Sequence, residues 1–143
     1  MIVYAETSAV LRWLFNEIGG TEILEHLRDA EKVVCSRLTL IETRRAIHRA
    51  VVMTRIRDVE GATLRAALAQ AAARWALLEI SSEVAIRAEQ SFPAEPVRTL
   101  DAIHLASALL LREALTALVL LSTDDRLREN AKLLGLEIVP VRI

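Results

Sequence analysis

Five short apolar runs, each separated from the next by a stretch of helical periodicity, constrain this chain more than any other feature. The runs are IVYA (2–5), KVVCS (32–36), ALLEI (76–80), ALVLLS (117–122) and EIVPV (137–141). Between them, helical patterns cover roughly 8–17, 21–30, 39–54, 57–74, 83–91, 99–114 and 125–134. Strands that alternate with helices build a mostly parallel sheet, with the helices covering both faces. The expected fold is therefore α/β: a three-layer α/β/α sandwich around a small sheet. Residues 1–143 are expected to form one domain, with Pro93 and Pro96 bracketing a loop and not a linker.

Composition narrows the class. Hydrophobic residues make up 53% and charged ones 26%, which suits a globular chain and not a disordered one. Aromatic residues are only 3%, so Ala, Leu, Ile and Val must build the core. A net charge of −1 sets up no global basic field, and any nucleic-acid contact has to come from a local patch. The single cysteine, Cys35, excludes an internal disulfide and fits a reducing compartment. Its place in KVVCS reads as a buried small hydrophobe. The N-terminus carries no basic region or cleavage signal, and the run ALTALVLL is too short to span a bilayer. A soluble cytoplasmic protein without a membrane partner is the expectation.

Four acids stand at strand-to-helix junctions or in a helix's first turn. They are Glu6 in YAETSAVL, Glu42 in SRLTLIETRRAI, Asp101 in RTLDAIHLASAL and Asp124 in LSTDDRLRENA. In a parallel sheet every crossover helix begins at the carboxyl edge of the strands, where ligands bind. Topology alone can therefore deliver all four to one edge. A pair of ionised carboxylates ~4 Å apart repels by ~4 kcal/mol at an effective dielectric near 20, and a hard cation relieves that. Structural roles compete with this reading. Thr39 and Glu42 have capping-box spacing, Asp101 follows a possible Thr99 cap, and Asp124 and Asp125 follow Ser122 and Thr123. Glu6 ends an apolar strand where no capping role requires it.

Taken in order, these segments resemble the PIN domain, and more narrowly the VapC-like toxin nucleases of toxin–antitoxin pairs. The resemblance rests on an opening strand followed by acid-Thr-Ser, then S-x-L-T-x-x-E, L-D-A-I-H-L-A and T/S-x-D-x-x-L before a closing strand. It implies a small parallel α/β/α sandwich and an endoribonuclease dependent on Mg²⁺ or Mn²⁺. By position it implies an acidic quartet of Glu6, Glu42, Asp101 and Asp124, with Thr7 and Ser122 as flanking hydroxyls and Asp125 as a neighbouring acid. Glu6, Asp101 and Asp124 would hold the metal, while Glu42 orients water or a second ion. The family usually has Asp where this chain has Glu6, and the added methylene moves a carboxylate by ~1–1.5 Å and adds a rotatable bond. His104, one turn after Asp101, reads as a packed helix histidine, with a supporting role at the metal as the alternative.

Arg37, Arg44, Arg45 and Arg49, with Arg55 and Arg57 nearby, cluster around the segment that carries Glu42. They form either an RNA-binding patch or a solvated helix face. Trp13 and Phe15 lie in the amphipathic opening AVLRWLF, which is either core or the groove for a cognate antitoxin that the resemblance implies. A homodimer is implied too. No GxxxxGK[ST] or GxGxxG phosphate loop is present, and no Lys follows the last strand as a phosphotransfer receiver requires. The competing function is a PIN-like domain that binds RNA or a protein partner without cutting.

Overall fold

The structure, a computed structural model, describes residues 1–143. Five parallel strands form one sheet: β1 (Ile2–Ala5), β2 (Lys32–Ser36), β3 (Ala76–Leu78), β4 (Leu118–Leu121) and β5 (Glu137–Val139), in the spatial order β3-β2-β1-β4-β5. The helices are α1 (Thr7–Leu14), α2 (Gly20–Asp29), α3 (Arg37–Val52), α4 (Asp58–Ala72), α5 (Ser82–Ala88), α6 (Thr99–Ala114) and α7 (Asp125–Leu133). The order moves outward from β1 through β2 to β3, then returns to the other side of β1 for β4 and β5. With one crossover hand, this reversal sends the helices of the two halves to opposite faces. The reversal lies between β1 and β4, and in open sheets such switch points carry the ligand site.

Strand alternation divides the core. Val3 and Ala5 of β1, Val33 and Cys35 of β2, and Val119 and Leu121 of β4 face the layer of α1 to α4, against Val10, Leu14, Ile23, Ile47 and Leu68. Tyr4, Val34, Leu118 and Leu120 face the layer of α6 and α7, against Leu105, Ala108, Leu127 and Ala131. A sheet covered on both faces needs apolar residues at successive positions, which is why β4 reads LVLL and is buried throughout. Cys35 lies within this core, and burial pushes its thiol up to about 11.

Several elements end sooner or begin earlier than the sequence patterns indicate. The third strand stops at Leu78 and the fifth at Val139, because Pro140 offers no N–H to continue a ladder. The third helix begins at Arg37, two residues before 39, because Ser36 at the end of β2 caps it by accepting from Leu38 N at 3.0 Å. No helix is long and apolar enough to cross a membrane.

Candidate active site at the β1–β4 edge

Register explains how the first and last acids' segments meet. Ala5 stands opposite Leu121 in the β1–β4 ladder, so the next residues, Glu6 and Ser122, leave the sheet side by side. Glu6 N donates to Leu121 O at 3.0 Å, and Ser122 Oγ donates to Glu6 Oε2 at 2.8 Å. Glu6 is also the N-cap of α1, accepting from Ser8 N at 3.1 Å on Oε1, while the Ser8 hydroxyl donates to Oε2. The acid without an expected cap is thus a capping residue. The residue is 4% exposed. Burial pushes its pKa up, and the opposing influences of His104, Ser8 and Ser122 do not offset that.

Glu42 is not part of a capping box. It is the sixth residue of α3, and Thr39 turns inward to donate to Ala5 O at 3.0 Å. Both donors to Glu42 meet on one oxygen: Thr7 Oγ1 at 2.7 Å and His104 Nε2 at 2.6 Å, each on Oε1. Burial raises the Glu42 carboxyl, but the His104 and Thr7 hydrogen bonds win and leave it below the ordinary value. His104 also comes within 4.0 Å of Glu6 Oε1, so one imidazole stands between two carboxylates.

The other two acids form a second pair. Asp101 lies in the first turn of α6, whose N-cap is Arg98 and not Thr99. Asp124 is itself the N-cap of α7, accepting from Leu127 N at 2.9 Å. The Arg98 guanidinium reaches both, at 3.3 Å from Asp101 Oδ2 and 3.9 Å from Asp124 Oδ2. Asp124 N donates to Ser122 Oγ at 3.2 Å, which joins this pair to the Glu6 side. Asp125 lies elsewhere: it is exposed and lines a separate cleft of about 430 Å³ with Arg128, Glu129, Lys132, Ile138 and Ile143.

Ser8 and Tyr4 escape a reading of the sequence alone, and His104 takes the supporting place that was the alternative to a packed helix histidine. Ser8 holds Glu6 and accepts from Thr123 N at 2.9 Å, tying the two strand ends together. His104 is 1% exposed and connects Tyr4, Thr7 and Glu42. Tyr4 meets His104 Nδ1 at 2.8 Å, and burial keeps its phenol well above the usual value. The available signal was spacing: Tyr4 lies on β1 two residues before Glu6, and His104 three after Asp101 on the same helix.

Of the basic residues, Arg37 is paired with Glu79, its Nε 3.1 Å from Oε2, whereas Arg44, Arg45 and Arg49 are exposed along α3. Trp13 lines a cleft of about 590 Å³ with Leu24 and Leu27 of α2, Ala67 and Ala71 of α4, and Trp75. Phe15 packs into the adjacent core.

The donors suit a hard divalent cation in kind, being carboxylate and hydroxyl oxygens with no thiolate among them. Glu6 Oε1 accepts one backbone N–H, and no protein donor reaches Glu42 Oε2 or Asp101 Oδ1. No three of the acidic, imidazole or thiol groups converge closely enough to hold an ion as the side chains stand.

This edge of acids invites comparison with known proteins. The PIN domain sequence family matches residues 3–133. The chain belongs to the PIN-domain family. Among PIN-domain proteins it is 34% identical to Ribonuclease VapC46 of Mycobacterium tuberculosis, over 96% of this chain and 95% of that one. It is 32% identical to Ribonuclease VapC35 of the same species, over 96% of both chains. It is thus a PIN-domain protein of the VapC ribonuclease group. The fold is shared with a chain of a toxin–antitoxin complex from Klebsiella pneumoniae, at a TM-score of 0.68, 17% identity and 99% coverage of both chains. It is shared too with M. tuberculosis VapC20, a sarcin–ricin loop cleaving toxin, at a TM-score of 0.64, 11% identity and coverage of 89% and 93%.

Proposed function

We propose that this PIN-domain protein is the toxin of a toxin–antitoxin pair, a cytoplasmic endoribonuclease that uses Mg²⁺ or Mn²⁺. The observation that carries the reading is the meeting of acids from four separate segments at the β1–β4 edge, linked through Ser122, His104 and Arg98. Asp101, Asp124 and Glu6 would hold the cation. A divalent ion there neutralises phosphate charge and makes a bound water more acidic.

The chain's own residues do the rest. Ser122 and Ser8 fix the Glu6 carboxylate at the end of β1. Glu42, held by Thr7 and His104 through Oε1, keeps Oε2 to orient a water or a second ion. Arg98 would have to yield the two aspartates to a cation, and its side chain is 70% exposed. Arg44, Arg45 and Arg49 are suited to RNA phosphates by their planar, multiply donating guanidinium groups. The cleft lined by Trp13, Leu24, Leu27 and Trp75, with Arg28, Lys32 and Arg74 also on its walls, is where an antitoxin segment would dock. A homodimer is part of the same reading.

The second reading, a domain that binds RNA or a protein without cutting, draws on the inward turn of Glu6. Cleavage of a pool of tRNA and structured RNA by antitoxin-free protein separates the two. Cutting with Mg²⁺ or Mn²⁺ that chelator abolishes, and that falls by about 100-fold or more in Asp101→Asn, supports the nuclease. Intact RNA in every lane, with binding retained, supports the second reading.

A further inference from the structure

The buried imidazole between Glu6 and Glu42 has no part in the expected acidic quartet, yet its contacts are among the most specific at this edge. We propose that His104 is a positioning residue for Glu42, with its tautomer set by the hydroxyl of Tyr4. The inference rests on the metal-nuclease reading above.

The argument is one of donors and acceptors. An ionised carboxylate only accepts, so the 2.6 Å contact to Glu42 Oε1 requires a proton on His104 Nε2. Nδ1 faces the Tyr4 hydroxyl at 2.8 Å. A phenol keeps its proton at neutral pH; in the proposed arrangement it donates that proton to Nδ1, and Nε2 carries the proton that faces Glu42. Thr7 accepts from Nε2 at 3.1 Å while donating to the same Glu42 oxygen at 2.7 Å. Each of the three protons on Tyr4, His104 and Thr7 thereby has an acceptor in one consistent pattern. Two donors on one oxygen fix the rotation of the carboxylate. The other oxygen, Oε2, is the one left for water or a cation. Tyr4 itself is anchored in the core on β1, so the chain of contacts runs from the sheet interior to the reactive edge.

The arrangement also separates charges. Glu6 and Glu42 both lie beside His104, at 4.0 Å and 2.6 Å. A single ring N–H holds Glu42 and occupies only one of its two oxygens. This is the relation that outer partners bear to ligating groups in metal sites generally.

The test uses the full chain and Mn²⁺ alone, titrated by calorimetry without RNA, on His104→Gln, His104→Leu and Tyr4→Phe. Leu fills the space and donates nothing; Gln can still present an amide N–H toward Glu42. Loss of an outer partner of this kind lowers metal affinity by about 10–100-fold, so His104→Leu should fall in that range, with Gln and Tyr4→Phe losing less. In a Glu42→Ala background, His104→Leu should change Mn²⁺ affinity no further, because the group it positions is gone. RNA cleavage by the single variants should lose kcat with little change in KM. Wild-type Mn²⁺ affinity in His104→Leu overturns the proposal. So does an equal further loss in the Glu42→Ala background, or a loss that tracks melting temperature across all three variants. Absence of Mn²⁺ binding by the wild-type chain is a different result: it removes the metal-nuclease reading itself and this inference with it.

Discussion

Ser122 donates a 2.8 Å hydrogen bond to Glu6 across 116 residues of sequence, and this bond exists because Ala5 and Leu121 are paired one position earlier. The longer arm of Glu6 lets its carboxyl accept from Ser122 and Ser8 together while capping α1. Sheet register, helix capping and the candidate site therefore depend on the same side chain.

That position is costly for a charge. Burial raises the Glu6 pKa, so the folded chain binds this proton more tightly than the unfolded one. Stability from this group is fully present below the ordinary carboxylate value and is lost as pH rises through the folded value. Glu6→Gln should therefore melt higher than the parent at pH 7 and no higher near pH 4, with RNA cleavage lost throughout. Thermal melts across that range check it; a gap independent of pH would contradict the assigned cause.

Arg128 supports the same loop from beneath. Its buried guanidinium donates to Ser122 O and Pro140 O, each at 2.8 Å. Burial lowers its pKa, against the raising influence of Asp125. Arg128→Met leaves those carbonyls unpaired and should cost about 2–4 kcal/mol, a fall in melting temperature of roughly 5–15 °C. Arg128→Lys should recover only part of this, since an ammonium cannot reproduce the fork. Denaturant titration of the two variants reads the difference.

Arg98 presents the opposite case, an exposed cation bridging two acids. Exposed pairs contribute about 0–1 kcal/mol, so Arg98→Gln should leave stability nearly unchanged. It should also bind Mn²⁺ up to about fivefold more tightly at low salt, because nothing then competes for Asp101 and Asp124. Weaker Mn²⁺ binding in the variant would mean that Arg98 organises the aspartates and does not obstruct them.

The sheet was legible because its strands are apolar runs of the right length between helical periods, and LVLL cannot be read as a half-exposed strand. The acids were legible because parallel topology leaves only one edge for strand-to-helix junctions. Their local roles were harder. The Thr39–Glu42 spacing imitates a capping box, but Ser36, inside the strand-like run, is the cap, and the helix starts before the motif. Glu6 was given no cap because caps are expected from shorter side chains, and here a glutamate reaches around to Ser8 N. His104 looked like core because helical spacing reports burial without reporting partners. Tyr4 and Thr7, its partners, come from 100 and 97 residues away in sequence.

Under the proposed function, the cleft between α1, α2 and α4 is where the antitoxin would dock. Trp75 lies on its wall with Trp13, Leu24 and Leu27, on the face of the sheet opposite α6 and α7. Buried aromatic anchors dominate protein interfaces, and truncating one costs about 2 kcal/mol or more. Trp75→Ala should therefore weaken binding of the cognate antitoxin by about 30-fold. The acidic edge is built from other residues, so RNA cleavage by the free protein should stay at the parental rate. A variant that loses cleavage and antitoxin binding together would indicate a folding defect, which its melting temperature would reveal. One that keeps full antitoxin affinity would place the docking surface elsewhere on the molecule.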